Sequence, residues 1–177
     1  MLKMARFSFL FLLLIGATAL AASTSEKSSV PSGDQKFVKD AVQGGMMEVE
    51  LGKLAADKAS SEDVKAFGKR MVDDHSRAND ELMTLAQKKN IALTNTLEGK
   101  YKRTVDRLSK LSGDKFDRDF MSTMVSDHKG DVSAFQKEAD KGQDADVKSW
   151  AGKTLPTLKT HLQLAQETEK KVKNAKK

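Results

Sequence analysis

The tightest constraint on this chain is a pattern that occurs twice, Phe67-x-x-x-Met71-Val72-x-Asp74-His75 and Phe120-x-x-x-Met124-Val125-x-Asp127-His128, at a constant offset of 53 residues. Phe, Met and His fall at i, i+4 and i+8, so on a helix they share one face. A Met and a His one turn apart can point at the same spot, and both side chains are metal donors. The pattern therefore asks for two helices that turn the same residue types inward.

The rest of the chain supplies helices around them. Phe37, Ala41, Gly44, Glu48, Leu51 and Ala55 step by four and three residues behind an N-cap at Asp34. Gly44-Gly45 within this helix costs about 1 kcal/mol per Gly against Ala, and is expected where another helix comes close. Ser60 or Ser61, with Glu62 and Asp63, opens a second helix in the manner of a capping box. Its stripe is Val64, Gly68, Met71, His75, Ala78, Leu82 and Leu85, and it runs to about Asn90. After a loop over 91–96, a shorter helix over about 97–111 turns Tyr101, Val105 and Leu108 inward.

Leu111-Ser112-Gly113-Asp114 breaks that helix and caps the next. The fourth helix carries Met121, Val125, His128, Val132, Phe135 and Ala139 inward. The last, after a break at 141–144, carries Val147, Ala151, Leu158, His161 and Ala165. Pro156 should kink or break this helix near Thr154. No stretch alternates as a strand does, so the chain is expected to be all-α. Two short-turn hairpins joined by a crossover of about 22 residues, whose helix can run roughly the length of the bundle, give a ferritin-like four-helix bundle with a short fifth helix in the long connection. The second and fourth helices then run parallel, which puts the two His motifs at a similar depth.

The first residues read as a signal peptide over 1–21. Lys3 and Arg6 precede the apolar run Phe7–Ile15, and Ala19-Leu20-Ala21 is a cleavage site. The run is shorter than the roughly 20 residues of a spanning helix; an uncleaved N-terminal anchor is the alternative. Residues 22–33 read as a flexible linker and 34–177 as a single helical-bundle domain. The expected location is exported, in the periplasm or associated with the outer membrane. Removing Lys3 and Arg6 lowers the formal charge from +6 to +4. With charges mixed along the chain and one Trp and one Tyr, no nucleic-acid surface is expected. The C-terminal run Lys170, Lys171, Lys173, Lys176 and Lys177 suits the negative pole of a helix, or peripheral contact with the cell envelope. Zero cysteines exclude disulfides, a thiol nucleophile and thiolate ligands.

The chain has three histidines, each on the inward stripe of a different helix, and the remaining main helix carries Glu48 inward. Glu50 lies about 200° further round and faces solvent. Glu48, His75, His128 and His161 are thus the candidate ligands of a Zn, Fe, Mn or Cu ion, with Met71 and Met124 added if the ion is copper, Cu(I) above all. The Glu-x-x-His pairs of di-iron bundles are absent. Counted from the turns, His75 falls opposite Gly44 or Gly45, a turn from Glu48, and His128 opposite residues 157–158, a turn from His161. Convergence is allowed rather than demanded.

The other reading keeps each His neutral in the core, with Asn79 and Asp131 as local partners and Asp74 and Asp127 facing Arg or Lys at the rim. The protein is then a non-catalytic cell-envelope or stress-related interaction protein with a structural polar core. No catalytic residue is assigned, since there is neither a Gly-x-Ser-x-Gly elbow nor a phosphate-cradling loop.

The motifs resemble the bacterial family known as domain of unknown function 4142, often described as exported or outer membrane proteins. They run from Phe37-Val38 and Gly44-Gly45-x-x-Glu48-Val49-x-Leu51-Gly52 through Met71-Val72-x-Asp74-His75 with Asn79-x-Glu81-Leu82. Leu111-Ser112-Gly113-x-x-Phe116-Asp117, Met124-Val125-x-Asp127-His128 and Leu155-Pro156-x-Leu158-x-x-His161-Leu162 complete them. The resemblance implies a ferritin-like bundle and an exported location, and no established activity.

Overall fold

A computed structural model describes residues 28–175. It contains α1 (Ser32–Lys58), α2 (Glu62–Lys88), α3 (Gly99–Leu108), α4 (Gly113–Lys141) and α5 (Ala145–Asn174), with no strand among the described residues. α1 and α2 form one hairpin and α4 and α5 another; α1 lies beside α4, and α2 beside α5. Round the bundle the order is α1, α2, α5, α4, which sets α2 and α4 on a diagonal.

Two carboxylates fix the relative direction of the hairpins. Asp117 of α4 accepts the backbone N–H groups of Ser60 and Ser61, at 3.2 and 2.9 Å, just before α2. At the other end Asp34 of α1 accepts those of Gln143 and Asp144, at 2.9 and 2.6 Å, just before α5. α2 and α4 therefore start at the same end and run parallel. The local caps expected from the sequence are not formed. Asp34 lies inside α1, whose N-cap is Pro31, and Ser61 precedes α2 without a side-chain capping bond. Each Asp instead satisfies amides in the turn of the opposite hairpin, where burial makes a missing partner cost about 1–3 kcal/mol.

Other expectations shift in detail. α1 starts at Ser32, and Val30 is buried beside Val38 and Val42, so residues 28–33 of the expected linker belong to the fold. The signal segment over 1–21 and residues 22–27 lie outside the described residues. α5 passes through Pro156 unbroken. Ala151, Leu155 and Leu158 bury its face on both sides of the proline, and that burial outweighs one lost backbone bond. α3 spans about 15 Å, well short of the bundle. Asn90, at φ 53°, ends α2, and non-helical chain over 91–98 covers the remaining distance. On α1 Val38, Val42 and Gly45 are buried together with the expected Gly44, Glu48, Leu51 and Ala55, while Phe37 and Ala41 are half-buried at the edge. On α2 Asn79 and Ala86 are buried where Ala78 and Leu85 were expected.

The interior is layered. Around the α1–α2 turn, Leu51, Phe67, Met71, Phe116, Phe120 and Met124 form one apolar cluster. Towards the other end Val38, Val42, Leu82 and Val147 form a second, flanked by Phe135, Leu155 and Leu158. Between the two, near the middle of their helices, lie buried Glu48, His75, His128 and His161.

α1 and α2 approach closely at Gly52 and Gly68. A Cβ on Gly52 would stand 2.5 Å from the Gly68 carbonyl oxygen, while one on Gly130 meets nothing within 4 Å. Gly52→Val should therefore destabilise the protein by about 1–3 kcal/mol through forced separation of the hairpin. Gly130→Ala should stabilise it by up to about 1 kcal/mol. Thermal and urea unfolding of the two variants check this contrast.

Candidate metal centre

Each of the four helices of the bundle delivers one polar side chain to the middle layer. Glu48 is 1% exposed, His75 7%, His128 0% and His161 1%. The three imidazole rings pack against one another, with centroids 5.2 to 5.7 Å apart. One nitrogen from each lies within 4.8 Å of one nitrogen from each of the other two. The turn of vertical offset expected between His75 and Glu48, and between His128 and His161, is bridged by the side chains.

Hydrogen bonding sorts the two nitrogens of each ring. His128 Nδ1 donates to the Met124 carbonyl oxygen at 2.9 Å, because a carbonyl can only accept. His161 Nε2 donates to Asp74 Oδ2 at 2.9 Å. Asp74 is the acceptor here: burial alone would raise its carboxyl, but the bond from His161 and the charges of Arg70 and Arg77 hold it below the usual range. His75 Nδ1 lies 2.9 Å from Glu48 Oε2. The other atom of each residue, His75 Nε2, His128 Nε2, His161 Nδ1 and Glu48 Oε1, is buried and has no hydrogen-bond partner.

Burial also fixes the charge states. It pushes His75 and His161 down to about 4, against opposing carboxylates nearby. Burial lowers His128 as well, with Glu48 pulling the other way. The imidazoles are therefore neutral near pH 7, the form that ligates metals. Burial raises Glu48 to about 8, with His128 opposing and Asp127 adding to the rise. Glu48 Oε1 and His128 Nε2 stand 3.3 Å apart without forming a hydrogen bond. The three imidazoles fit a transition-metal ion, while Glu48 touches His75 and His128 but groups with Asp127 and Asp131 rather than with the three rings.

The partners expected for the histidines are replaced. Asn79 sits against Gly45, and Asp131 groups with Glu48 and Asp127. Asp74 does meet Arg70 and Arg77 at the rim, at 3.4 and 2.7 Å, and reaches His161 as well. The Asp-His pair repeated in both motifs was the available signal for that role. Met71 and Met124 pack in the apolar cluster with Phe67 and Phe120. Of the C-terminal lysines, Lys171 pairs with Asp63 and Lys173 with Glu169, while Lys176 and Lys177 lie outside the described residues.

The chain belongs to the family described as Domain of unknown function (DUF4142), which matches residues 18–168. No curated protein matches it. The fold is similar to that of a DUF305 fragment from Deinococcus radiodurans, at TM-score 0.70 and 13% identity over 80% of this chain and 98% of that one. A DUF305 protein of Streptomyces coelicolor, named as a candidate secreted protein, gives 0.67 and 12% over 79% and 92%. CopM in its Cu(II)-bound form gives 0.64 and 15% over 78% and 96%.

The pKa directions give the metal-free protein a stability optimum. The folded histidines bind fewer protons than the unfolded chain between about 4 and 6.5, so their contribution is full above 6.5 and is lost as pH falls towards 4. Glu48 acts with the opposite sign: its contribution is full below 4.5 and is lost as pH rises through about 8. Asp127 and Asp131, raised by burial first, add to that alkaline decline. Calorimetry of chelator-treated protein should show Tm falling on both sides of about pH 6.5. In Glu48→Gln the alkaline limb should become shallower while the acid limb stays.

Proposed function

We propose that this DUF4142 chain is an exported transition-metal-binding bundle. It holds one Cu(II) or Zn(II) ion through the imidazoles of His75, His128 and His161, with Glu48 orienting His75 from the opposite side of its ring. The observation that carries this reading is that the three imidazoles lie within reach of one ion, with His75 Nε2, His128 Nε2 and His161 Nδ1 buried and unpartnered while the opposite nitrogen of each ring is engaged. An imidazole whose other nitrogen is held by a carboxylate or a carbonyl oxygen is the arrangement found behind metal-ligating histidines. Three imidazoles suit copper and zinc better than magnesium or calcium.

The Cu(II) bound to CopM, on a similar fold, supports the same class of ligand. The signal-like N-terminus and the candidate secreted neighbour support an exported location. Peripheral contact with the envelope through the Lys-rich C-terminus belongs to the same proposal.

Metal analysis and calorimetric titration of the chain without a histidine tag should find one Cu(II) or Zn(II) per molecule. His128→Ala should abolish binding and the rise in Tm that the ion produces. Asp74→Asn, which removes only the partner of His161, should weaken binding about 10- to 100-fold. Met71→Leu and Met124→Leu should leave affinity for either ion unchanged. Failure of wild-type protein to take up either ion would leave the interaction-protein reading with its structural polar core.

A further inference from the structure

We propose a second cation site, formed by Glu48, Asp127 and Asp131 at the inner end of the groove between α1 and α4, that takes a hard divalent ion. One carboxylate oxygen from each residue lies within 4.8 Å of one from each of the other two. Glu48, 1% exposed, has an unpartnered Oε1, and Asp127 Oδ2 is likewise buried without a partner.

The repeated motif explains how such a cluster arises. Asp74 of α2 faces α5, where His161 donates a proton to it. Its repeat mate Asp127 of α4 faces α1, where the corresponding position is Glu48, a second acceptor. Asp131, one turn after Asp127, adds a third. An acid facing an acid needs a proton or a cation between them, whereas an acid facing an imidazole does not. Lys100 of α3 is the positive side chain that faces both Asp127 and Asp131, and His75 and His128 close the inner side as neutral rings.

The donor set is oxygen alone, which selects Mn²⁺, Mg²⁺ or Ca²⁺ over the ions that imidazoles prefer. The site is also reachable. A groove of about 680 Å³ is lined by Asp127, Asp131, Lys100 and Tyr101, and a second of about 340 Å³ reaches Asp127 from the other side of Tyr101. The site adjoins the imidazole centre through Glu48 but does not need that centre to be occupied.

Mn²⁺ alone is the probe, added to the chelator-treated, tag-free chain, with free Mn²⁺ read by electron paramagnetic resonance. One Mn²⁺ should bind per chain. Asp131→Asn and Asp127→Asn should each weaken binding at least about tenfold, and Lys100→Gln, which removes the competing ammonium, should strengthen it several-fold. His161→Ala should lose Zn(II) and Cu(II) yet keep Mn²⁺, so loss of the imidazole centre and loss of this site are told apart. No Mn²⁺ uptake by wild-type protein at millimolar concentration overturns the proposal, as does equal uptake by wild type and Asp131→Asn. The metal-free Tm of Asp131→Asn should equal or exceed that of wild type. If that variant instead fails to fold, Lys100→Gln decides, and an unchanged affinity there overturns the proposal.

Discussion

The structure depends on how four polar side chains are accommodated in the middle of an otherwise apolar bundle. A buried imidazole or carboxyl must be hydrogen-bonded or else cost the fold free energy on the order of kcal/mol. This bundle pays half of that requirement from its own atoms: the Met124 carbonyl oxygen holds His128, Asp74 holds His161, and Glu48 stands against His75. The free nitrogens of the three rings are left within the layer. Each imidazole is oriented through one nitrogen and leaves the other buried and open, which is how an interior ion-binding position is built.

The repeat gives this layer its near-symmetry and its departure from it. Phe67 and Phe120 meet edge to face, at 6.1 Å between centroids, and form a floor under the imidazoles. His75 and His128 hang at matching depth from parallel helices. The departure is chemical: α5 brings His161 to the layer, and α1 brings Glu48. One half of the layer is therefore basic towards its Asp neighbour, and the other is acidic towards its own.

Much of this could be read from residue order. Steps of three and four residues define the long helices, and short breaks at 58–61 and 141–144 define the hairpins. A histidine on an inward stripe of three different helices leaves little room for them except near one another. What could not be read depends on contacts between helices. Asp34 stands where local rules make it a cap and Asp117 lies just over a turn inside α4, yet each serves a turn more than 50 residues away in sequence. Asp74 lies about 100° from His75 on the helical wheel, which points it to the rim. That angle places it beside α5, and so within reach of His161. Pro156 was read by its local penalty alone, without the burial on either side that keeps α5 continuous.

The exchange of turn partners has a consequence for assembly. Neither hairpin completes its own reversal of direction: the amides at 60–61 are closed by α4, and those at 143–144 by α1. A ribosome that has released only the first pair of helices has made a unit with an open end. Each hairpin therefore leaves buried turn amides without their carboxylate until the other packs against it, which ties the completion of one half to the presence of the other.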